Sequence, residues 1–207
     1  MVDPGRTNPM TRARGALLGV VLGTSAVGIA GAATEDGAFR VRGAGIATCG
    51  QYVEAAEARG AEFVSFAGWV DGYLSAMNRT EEGYYDLVPW QGTELLLASL
   101  ARYCEQRPDQ AFHIAVINLA QSLLPGAIRQ QPEIVGIEAT DSETSVALYD
   151  VVIRRLQAAL RIRGFYEGEL SGEYTDATRK AVTAFQSSVG LPATGMPDQK
   201  TLASLLN

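Results

Sequence analysis

The amino-acid sequence predicts an all-α protein, with a four-helix first half and a smaller helical second half. Apolar residues recur at helical spacing in four runs within residues 45–124, and in two more runs after residue 145. Glycine or proline separates or ends most of these runs, at Gly60, Pro108, Pro125 and Gly164. The length of 207 residues suits two small domains.

The four runs of the first half begin at Cys49, Phe63, Leu96 and Phe112. We therefore expect a four-helix domain over residues 45–124. The second run carries Gly68, Gly72 and Ala76 at four-residue spacing, for which close packing against a neighbouring helix is the expected role.

The first 33 residues have the build of a secretory signal peptide. Three arginines precede a stretch, residues 15–33, that is almost wholly apolar and ends in small residues. We expect cleavage after Ala32 or Ala33 and a periplasmic location for the rest of the chain. An uncleaved membrane anchor is one alternative, and a lipid-attachment box at residues 46–49 is another.

Cys49 and Cys104 are the only two cysteines of the chain. An even pair in a protein sent to an oxidising compartment predicts a disulfide. Cys49 lies at the start of the first predicted helix and Cys104 near the end of the third, each on the apolar side, so a bridge through the core is feasible.

The charge balance and residue types exclude several functions. A net charge of −6 argues against nucleic acid and anionic lipid as partners. A single histidine, His113, is too few for a zinc enzyme, and a bridged cysteine pair leaves no thiol nucleophile. We predict no catalytic residue, metal ligand or cofactor. A glycosidase remains the enzymatic alternative, since carboxylates flank residues 79–92 at Glu81, Glu82, Asp86 and Glu94.

Residues 79–92 connect the second and third predicted helices and are rich in aromatic side chains. Tyr84, Tyr85 and Trp90 are the candidates for a partner-binding surface, and packing over the helices is their alternative role. Residues 125–145 contain Pro132, Gly136 and an acidic cluster, and are predicted to link the two halves. The apolar group at residues 134–137 is the exception, because it could form one edge strand.

The second half contains an internal repeat. Leu156-Gln157, Gly172, Thr175 and Thr178 are echoed by Phe185-Gln186, Gly195, Asp198 and Thr201. In each copy a glycine turn comes three residues before a helix cap, and a threonine follows three residues later. The pattern predicts a turn and then a helix start, twice. A helix is also predicted over residues 175–189. Its inward face should carry Ala181, Val182, Phe185 and Val189.

These motifs, with Gly164-Phe165-Tyr166-Glu167-Gly168, Gly190-Leu191 and Thr201-Leu202, resemble the peptidoglycan-binding-like domain family over residues 146–207. The resemblance implies a three-helix module that docks on cell-wall glycopeptide and has no chemistry of its own. Tyr166, Gly168, Tyr174 and Arg179 are the candidate ligand-binding residues. The alternative is that the two tyrosines cover the small core and Arg179 is solvated on a helix face. One departure is Ser171, where the family usually has aspartate before the glycine.

Residues 45–124 weakly resemble small helical periplasmic proteins with one disulfide, namely acid-stress chaperones and amidase-immunity proteins. The resemblance is carried by Thr48-Cys49, the Trp69-Val70-x-Gly72-Tyr73 segment and Tyr103-Cys104. The sequence thus predicts an exported, non-catalytic peptidoglycan-binding protein, in which the C-terminal module holds a helical interaction domain at the wall. A wall-remodelling hydrolase and an immunity or chaperone protein with an envelope partner are the alternatives.

Overall fold

The computed structural model describes Met1, Thr34, residues 38–139 and residues 145–206. The chain divides into two compact units, Met1–Phe39 and Arg40–Asn207. In the first unit the Thr34 hydroxyl donates to the Ala38 carbonyl and accepts from the Ala38 amide. The predicted signal peptide, residues 1–33, lies outside the described residues apart from Met1. All the described helices and strands belong to the second unit.

Four helices form the first half of the second unit, as the sequence predicts. They are α1 (Cys49–Ala58), α2 (Ala61–Thr80), α3 (Thr93–Glu105) and α4 (Phe112–Leu123), and a short 3-10 helix, Gly43–Ile46, precedes them. Their apolar faces meet in a first core, in which the rings of Tyr52, Phe66 and Phe112 lie 4.6 to 5.1 Å apart. The helical spacing in the sequence thus identified the buried faces.

Helix α1 begins with a reciprocal cap. The Thr48 hydroxyl accepts a bond from the Gln51 amide at 3.3 Å, and the Gln51 side-chain oxygen accepts one from the Thr48 amide at 2.9 Å. The helix ends at Arg59, whose φ of 52° is left-handed. Because the cap fixes where α1 starts, it also fixes the position of Cys49 in the first turn.

A disulfide joins the start of α1 to the end of α3. The Cα atoms of Cys49 and Cys104 are 4.8 Å apart, and both residues are fully buried. The predicted pairing is confirmed. The lipid-attachment alternative at residues 46–49 is wrong, because the sulfur that would carry the lipid is in the bridge.

Residues 134–138 and 145–149 form the two antiparallel strands of a hairpin. Strand β1 (Ile134–Glu138) pairs with β2 (Ser145–Tyr149), with Ile134 opposite Tyr149 and Glu138 opposite Ser145. The edge-strand alternative for the apolar group is therefore confirmed, and this part of the expected linker is regular structure. Ile137 is buried and Ile134 exposed, since residues an odd number apart face opposite sides of a strand.

Three helices, α5 (Asp150–Ile162), α6 (Asp176–Ser188) and α7 (Gln199–Leu206), complete the second half. With the hairpin they enclose a second core around Val152, Leu156, Phe185 and Leu202. The prediction that Val189 faces inward is wrong, since 48% of this residue is exposed. The physical reason is that α6 ends at Ser188, and Gly190 then turns the chain with a positive φ.

The small residues of α2 face solvent. A Cβ built on Gly68 or Gly72 would have no atom of another element within 4 Å, and Ala76 is exposed. The expected close helix contact is therefore wrong within this structure. No helix in residues 38–139 or 145–206 has the length and apolar character needed to cross a membrane.

Candidate functional site

A fully buried glutamine organises the turn between α5 and α6. The Gln157 side chain donates to the Glu173 carbonyl at 2.9 Å and to the Thr178 hydroxyl at 3.1 Å, and it accepts a bond from the Gly172 amide at 3.2 Å. An unpaired amide at such a position would cost about 1 to 3 kcal/mol. Helix α5 thereby fixes the turn that leads into α6.

Gln186 repeats this arrangement between α6 and α7. Its side chain donates to the Met196 carbonyl at 2.8 Å and to the Thr201 hydroxyl at 2.9 Å, and it accepts from the Gly195 amide at 2.8 Å. Both glutamines are fully buried. The sequence repeat is thus a structural repeat, in which one helix holds the next turn through an amide.

The turns and helix caps of the repeat also match. Gly172 and Gly195 have φ values of 85° and 67°, which favour glycine. Thr175 and Asp198 then accept bonds from the amides of Thr178 and Thr201, so both predicted helix starts are confirmed. The two later threonines turn inward to the glutamines, because the buried amides need partners.

Ser171 keeps its turn without the carboxylate that the family usually has there. Its hydroxyl accepts a bond from the Glu173 amide at 3.1 Å, just as the Thr194 hydroxyl accepts from the Met196 amide at 3.1 Å in the second copy. A hydroxyl therefore serves at this position in both copies.

Tyr166 and Gly168, two of the predicted ligand-binding residues, shape the loop after α5. The Tyr166 side chain is buried, with 6% of the residue exposed, and its hydroxyl donates to the Glu169 carbonyl at 2.8 Å. A Cβ on Gly168 would come within 2.6 Å of that ring, so glycine is required there. Little of Tyr166 is left for a ligand, and the predicted contact of both residues with a ligand stays a prediction.

Tyr174 and Arg179, the other two predicted ligand-binding residues, lie together. The Tyr174 hydroxyl donates to the Gly195 carbonyl at 2.7 Å, and the Arg179 guanidinium carbon lies 5.3 Å from the centre of the Tyr174 ring. Arg179 also donates to the Glu138 carbonyl at 2.7 Å. Burial raises the pKa of Tyr174 above its ordinary value of 10, against the smaller opposing effect of Arg179, so the hydroxyl stays a donor at neutral pH.

This pair has the chemistry for a glycopeptide surface. Both residues are half-exposed, and the guanidinium has five N–H groups, more than its neighbours take up. The remaining donors suit a carboxylate, while the exposed part of the Tyr174 ring suits the apolar face of a sugar.

Tyr85 and Trp90, in the connection between α2 and α3, contact the C-terminal half of the same chain. Trp90 is 8% exposed and belongs to the second core, and the Tyr85 ring lies edge-on to Tyr149 at 6.3 Å. The Tyr84 ring lies 4.9 Å from the Arg129 guanidinium carbon. The partner that the structure shows for Tyr85 and Trp90 is thus intramolecular, and an envelope partner stays a prediction.

Gln199 of α7 stabilises the contact between Trp90 and the C-terminal half. Its amide nitrogen donates to the Trp90 carbonyl at 2.6 Å, and its oxygen accepts from the Gly92 amide at 2.8 Å. Arg155 of α5 adds bonds to the carbonyls of Gly126 and Ala127. The first turn of α7 therefore holds the chain segment that enters α3.

Of the four carboxylates considered for a glycosidase, two have partners on the protein. Asp86 accepts bonds from the Asn78 side chain and the Val88 amide, and Glu94 forms a surface ion pair with Arg59 at 2.8 Å. Glu81 and Glu82 are exposed. The Nδ1 atom of His113 lies 3.1 Å from the Gly45 carbonyl oxygen. Across residues 38–139 and 145–206, no three His, Cys, Asp or Glu side chains gather as a metal-binding set.

Sequence reasoning missed the arginines of α5. Arg154 pairs with Asp150 and donates to the Ser171 carbonyl, while Arg161 donates to the Gly168 carbonyl. These side chains hold the loops in which the candidate ligand-binding residues lie. Two features of the sequence could have indicated this role. The arginines lie beside the apolar face of a strongly amphipathic helix, and the neighbouring loops contain carbonyl groups that need hydrogen-bond donors.

Comparison with known proteins identifies the C-terminal half. Residues 151–205 match a family described as "Putative peptidoglycan binding domain". The match begins in α5 and ends in α7, so it spans both copies of the glutamine-centred repeat.

Two individual proteins are similar to parts of the chain. A "Putative OxPP cycle protein OpcA" of Synechococcus elongatus is 32% identical over 93 residues, which are 44% of this chain and 20% of that protein. The chain thus spans about a fifth of the length of this curated relative. The second is SltB3 from Pseudomonas aeruginosa, which was crystallised in complex with NAG-anhNAM-pentapeptide. It is 28% identical, and the match covers 55% of this chain and 27% of the SltB3 chain.

The overlap with SltB3 has a TM-score of 0.29, which is too low to bear on fold or function. The family match and the matched turns of the repeat agree with each other, and they also agree with the motifs in the sequence. Residues 151–205 of this chain are therefore a peptidoglycan-binding-like domain.

Proposed function

We propose that this protein is exported, binds peptidoglycan through residues 151–205 without cleaving it, and holds its helical first half at the wall. The observation that carries the proposal is the peptidoglycan-binding-like domain itself. Tyr174 and Arg179 are the residues we propose to meet the wall, because both remain half-exposed and the guanidinium keeps free donors.

The buried disulfide supports export. Disulfides persist in oxidising compartments such as the periplasm, and Cys49 and Cys104 are bridged inside the first core. A signal peptide over residues 1–33 would deliver the chain there. We accordingly propose a periplasmic location for residues 34–207.

The positions of the reactive side chains support a binding role. The disulfide consumes both thiols, and Asp86 is committed to Asn78 and to the Val88 amide. Glu81 and Glu82 remain exposed, but they are adjacent in the chain, whereas a glycosidase needs its two carboxylates to flank the scissile bond. We propose that the first half serves as an interaction domain, and a wall-remodelling enzyme is the outcome that the experiment must distinguish.

The test is sedimentation of the protein, residues 34–207, with insoluble peptidoglycan sacculi, followed by analysis of soluble muropeptides in the supernatant. The proposal predicts that the protein sediments with the sacculi and releases no muropeptides. The matched variants Arg179→Ala and Arg102→Ala remove one arginine from the proposed surface and one from α3. Only Arg179→Ala should reduce sedimentation.

A protein that stays in the supernatant would contradict wall binding. Release of muropeptides would instead support the remodelling enzyme. Equal loss from both arginine variants would mean that general charge attraction, and no specific surface, holds the protein on the wall.

A further inference from the structure

A groove lies where the C-terminal domain meets the end of the helical half. Its volume is about 540 Å³, within the range of pockets that hold small ligands. Helix α5 contributes one wall through Arg155, Ala158 and Ile162, and residues 122–126 contribute the facing wall. Both halves of the second unit are therefore needed to form it.

A little more than half of the groove's lining is apolar. Its aliphatic surface comes from Leu123, Pro125, Ala158, Ile162 and Leu206. Ile162 is 85% exposed although it belongs to a well-packed helix. Such an exposed aliphatic side chain, with apolar neighbours, is typical of a surface that binds another molecule.

Arg155 is the charged residue of this lining, all of which lies within the described part of the chain. Two ion pairs are found among the described residues, Arg59 with Glu94 and Arg154 with Asp150, and Arg155 takes part in neither. Its bonds go to the neutral carbonyls of Gly126 and Ala127, which fix the guanidinium but leave its charge uncompensated. The groove thus combines aliphatic walls with one positioned cation.

We propose that this groove binds the peptide stem of peptidoglycan, with its small aliphatic side chains against Ile162 and Leu123 and the terminal carboxylate of the stem on Arg155. The proposal rests on the proposed wall-binding function and adds a second contact to it. A peptide with methyl side chains and a free carboxylate matches both features of the lining. A sugar would lose hydrogen bonds from its hydroxyl groups to water against the aliphatic walls.

Titration calorimetry with a soluble muramoyl pentapeptide tests this assignment. A second probe is the same compound with its terminal carboxylate converted to an amide. For the unaltered protein, residues 34–207, we expect the amide to bind about tenfold or more weakly, since it loses a charge-assisted hydrogen bond. In Arg155→Met the acid and the amide should bind alike, and Arg155→Lys should restore part of the difference.

Two further variants test the aliphatic wall. Ile162→Glu places an anion in the groove and should weaken binding of the acid by about tenfold or more. Val189→Glu makes the same change at another exposed position of the C-terminal domain, outside the groove lining, and should leave binding unchanged. Circular dichroism of each variant checks that the fold is kept.

Equal affinity of the unaltered protein for acid and amide would overturn the proposal, as would equal weakening by Ile162→Glu and Val189→Glu. If Ile162→Glu converts a dimer to a monomer in sedimentation velocity without changing peptide affinity, the groove is a contact between two copies and the proposal is wrong. Sedimentation of the same samples with sacculi distinguishes failure of this inference from failure of the proposed wall-binding function. Normal sedimentation with no groove effect removes this inference alone, whereas no sedimentation of the unaltered protein removes the proposed function.

Discussion

Gln157 and Gln186 show how single residues determine the C-terminal fold. Each is a polar side chain with no exposed surface, and each pairs with a glycine amide, a carbonyl and a threonine hydroxyl in the following turn. The repeated Leu-Gln and Phe-Gln motifs were visible in the sequence. Their burial was not predictable, because helical spacing identifies apolar faces and gives no signal for a satisfied amide among them.

Replacing Gln157 by leucine should destabilise the protein by about 2 to 4 kcal/mol, because it leaves the Gly172 amide buried without a partner and removes the bonds to the Glu173 carbonyl and the Thr178 hydroxyl. Urea unfolding followed by circular dichroism measures the change. The matched control is Gln121→Leu on the exposed face of α4, which should alter stability by less than about 0.5 kcal/mol. Equal effects of the two substitutions would contradict the role given to the buried amide.

The raised pKa of Tyr174 should make the free energy of unfolding decrease in alkaline solution. Burial holds its pKa above the ordinary 10, so in the unfolded chain this hydroxyl loses its proton at lower pH than in the folded protein. Its contribution is complete below pH 10 and declines as pH rises above that value. In Tyr174→Phe, unfolding free energies measured between pH 8 and 11 should decline less steeply. A slope equal to that of the unaltered protein would refute the assignment.

At the level of elements, six of the seven α-helices among the described residues follow from apolar periodicity, since each needs one face toward a core, and α7 follows from the repeated turn and cap. The disulfide followed from the even pair of cysteines in a chain predicted to be exported, and the positions of Cys49 and Cys104 on two such faces made the bridge feasible. The hairpin was less accessible to sequence reasoning. Strand β2 continues directly into α5, and the pairing of Ile137 with Val146 depends on a contact that no local pattern encodes.

Helix α2 gives a prediction about glycine in an exposed helix. Gly68→Ala and Gly72→Ala should each stabilise the protein by about 0.5 to 1 kcal/mol, because alanine loses less backbone entropy and the added methyl meets open space. Gly45→Ala is the contrasting change, since its Cβ would lie 2.2 Å from a Trp69 ring atom, and it should destabilise. Thermal unfolding measures all three. Destabilisation by the α2 substitutions would show that those glycines have a contact absent from this structure.

At the level of the whole molecule, the second unit has two cores joined by Trp90. This residue follows the second helix of the first half and packs in the core of the second half, where Gln199 holds its carbonyl. The sequence showed an aromatic connection but could not show what it contacts, because the two sides of the contact are 109 residues apart. The same limitation applied to the groove beside Arg155.

Trp90→Ala should destabilise the protein by about 3 to 5 kcal/mol, because it removes a large buried ring. Hydrogen exchange should show that α5 to α7 lose protection in this variant. The chain's other tryptophan supplies the control, since Trp69 packs on the first core, and Trp69→Ala should leave α5 to α7 protected. Unchanged protection of α5 to α7 in Trp90→Ala would mean that the second core does not depend on this residue.

The central claim is that residues 151–205 contact the wall. Hydrogen exchange of residues 34–207, measured with and without saturating soluble muropeptide, tests it most directly. The account predicts slower exchange in the segments around Tyr174 and Arg179 and along the α5 groove, with α1 to α3 unchanged. Slower exchange confined to α1 to α3 would contradict it, because the helical half would then be the part of the molecule that binds.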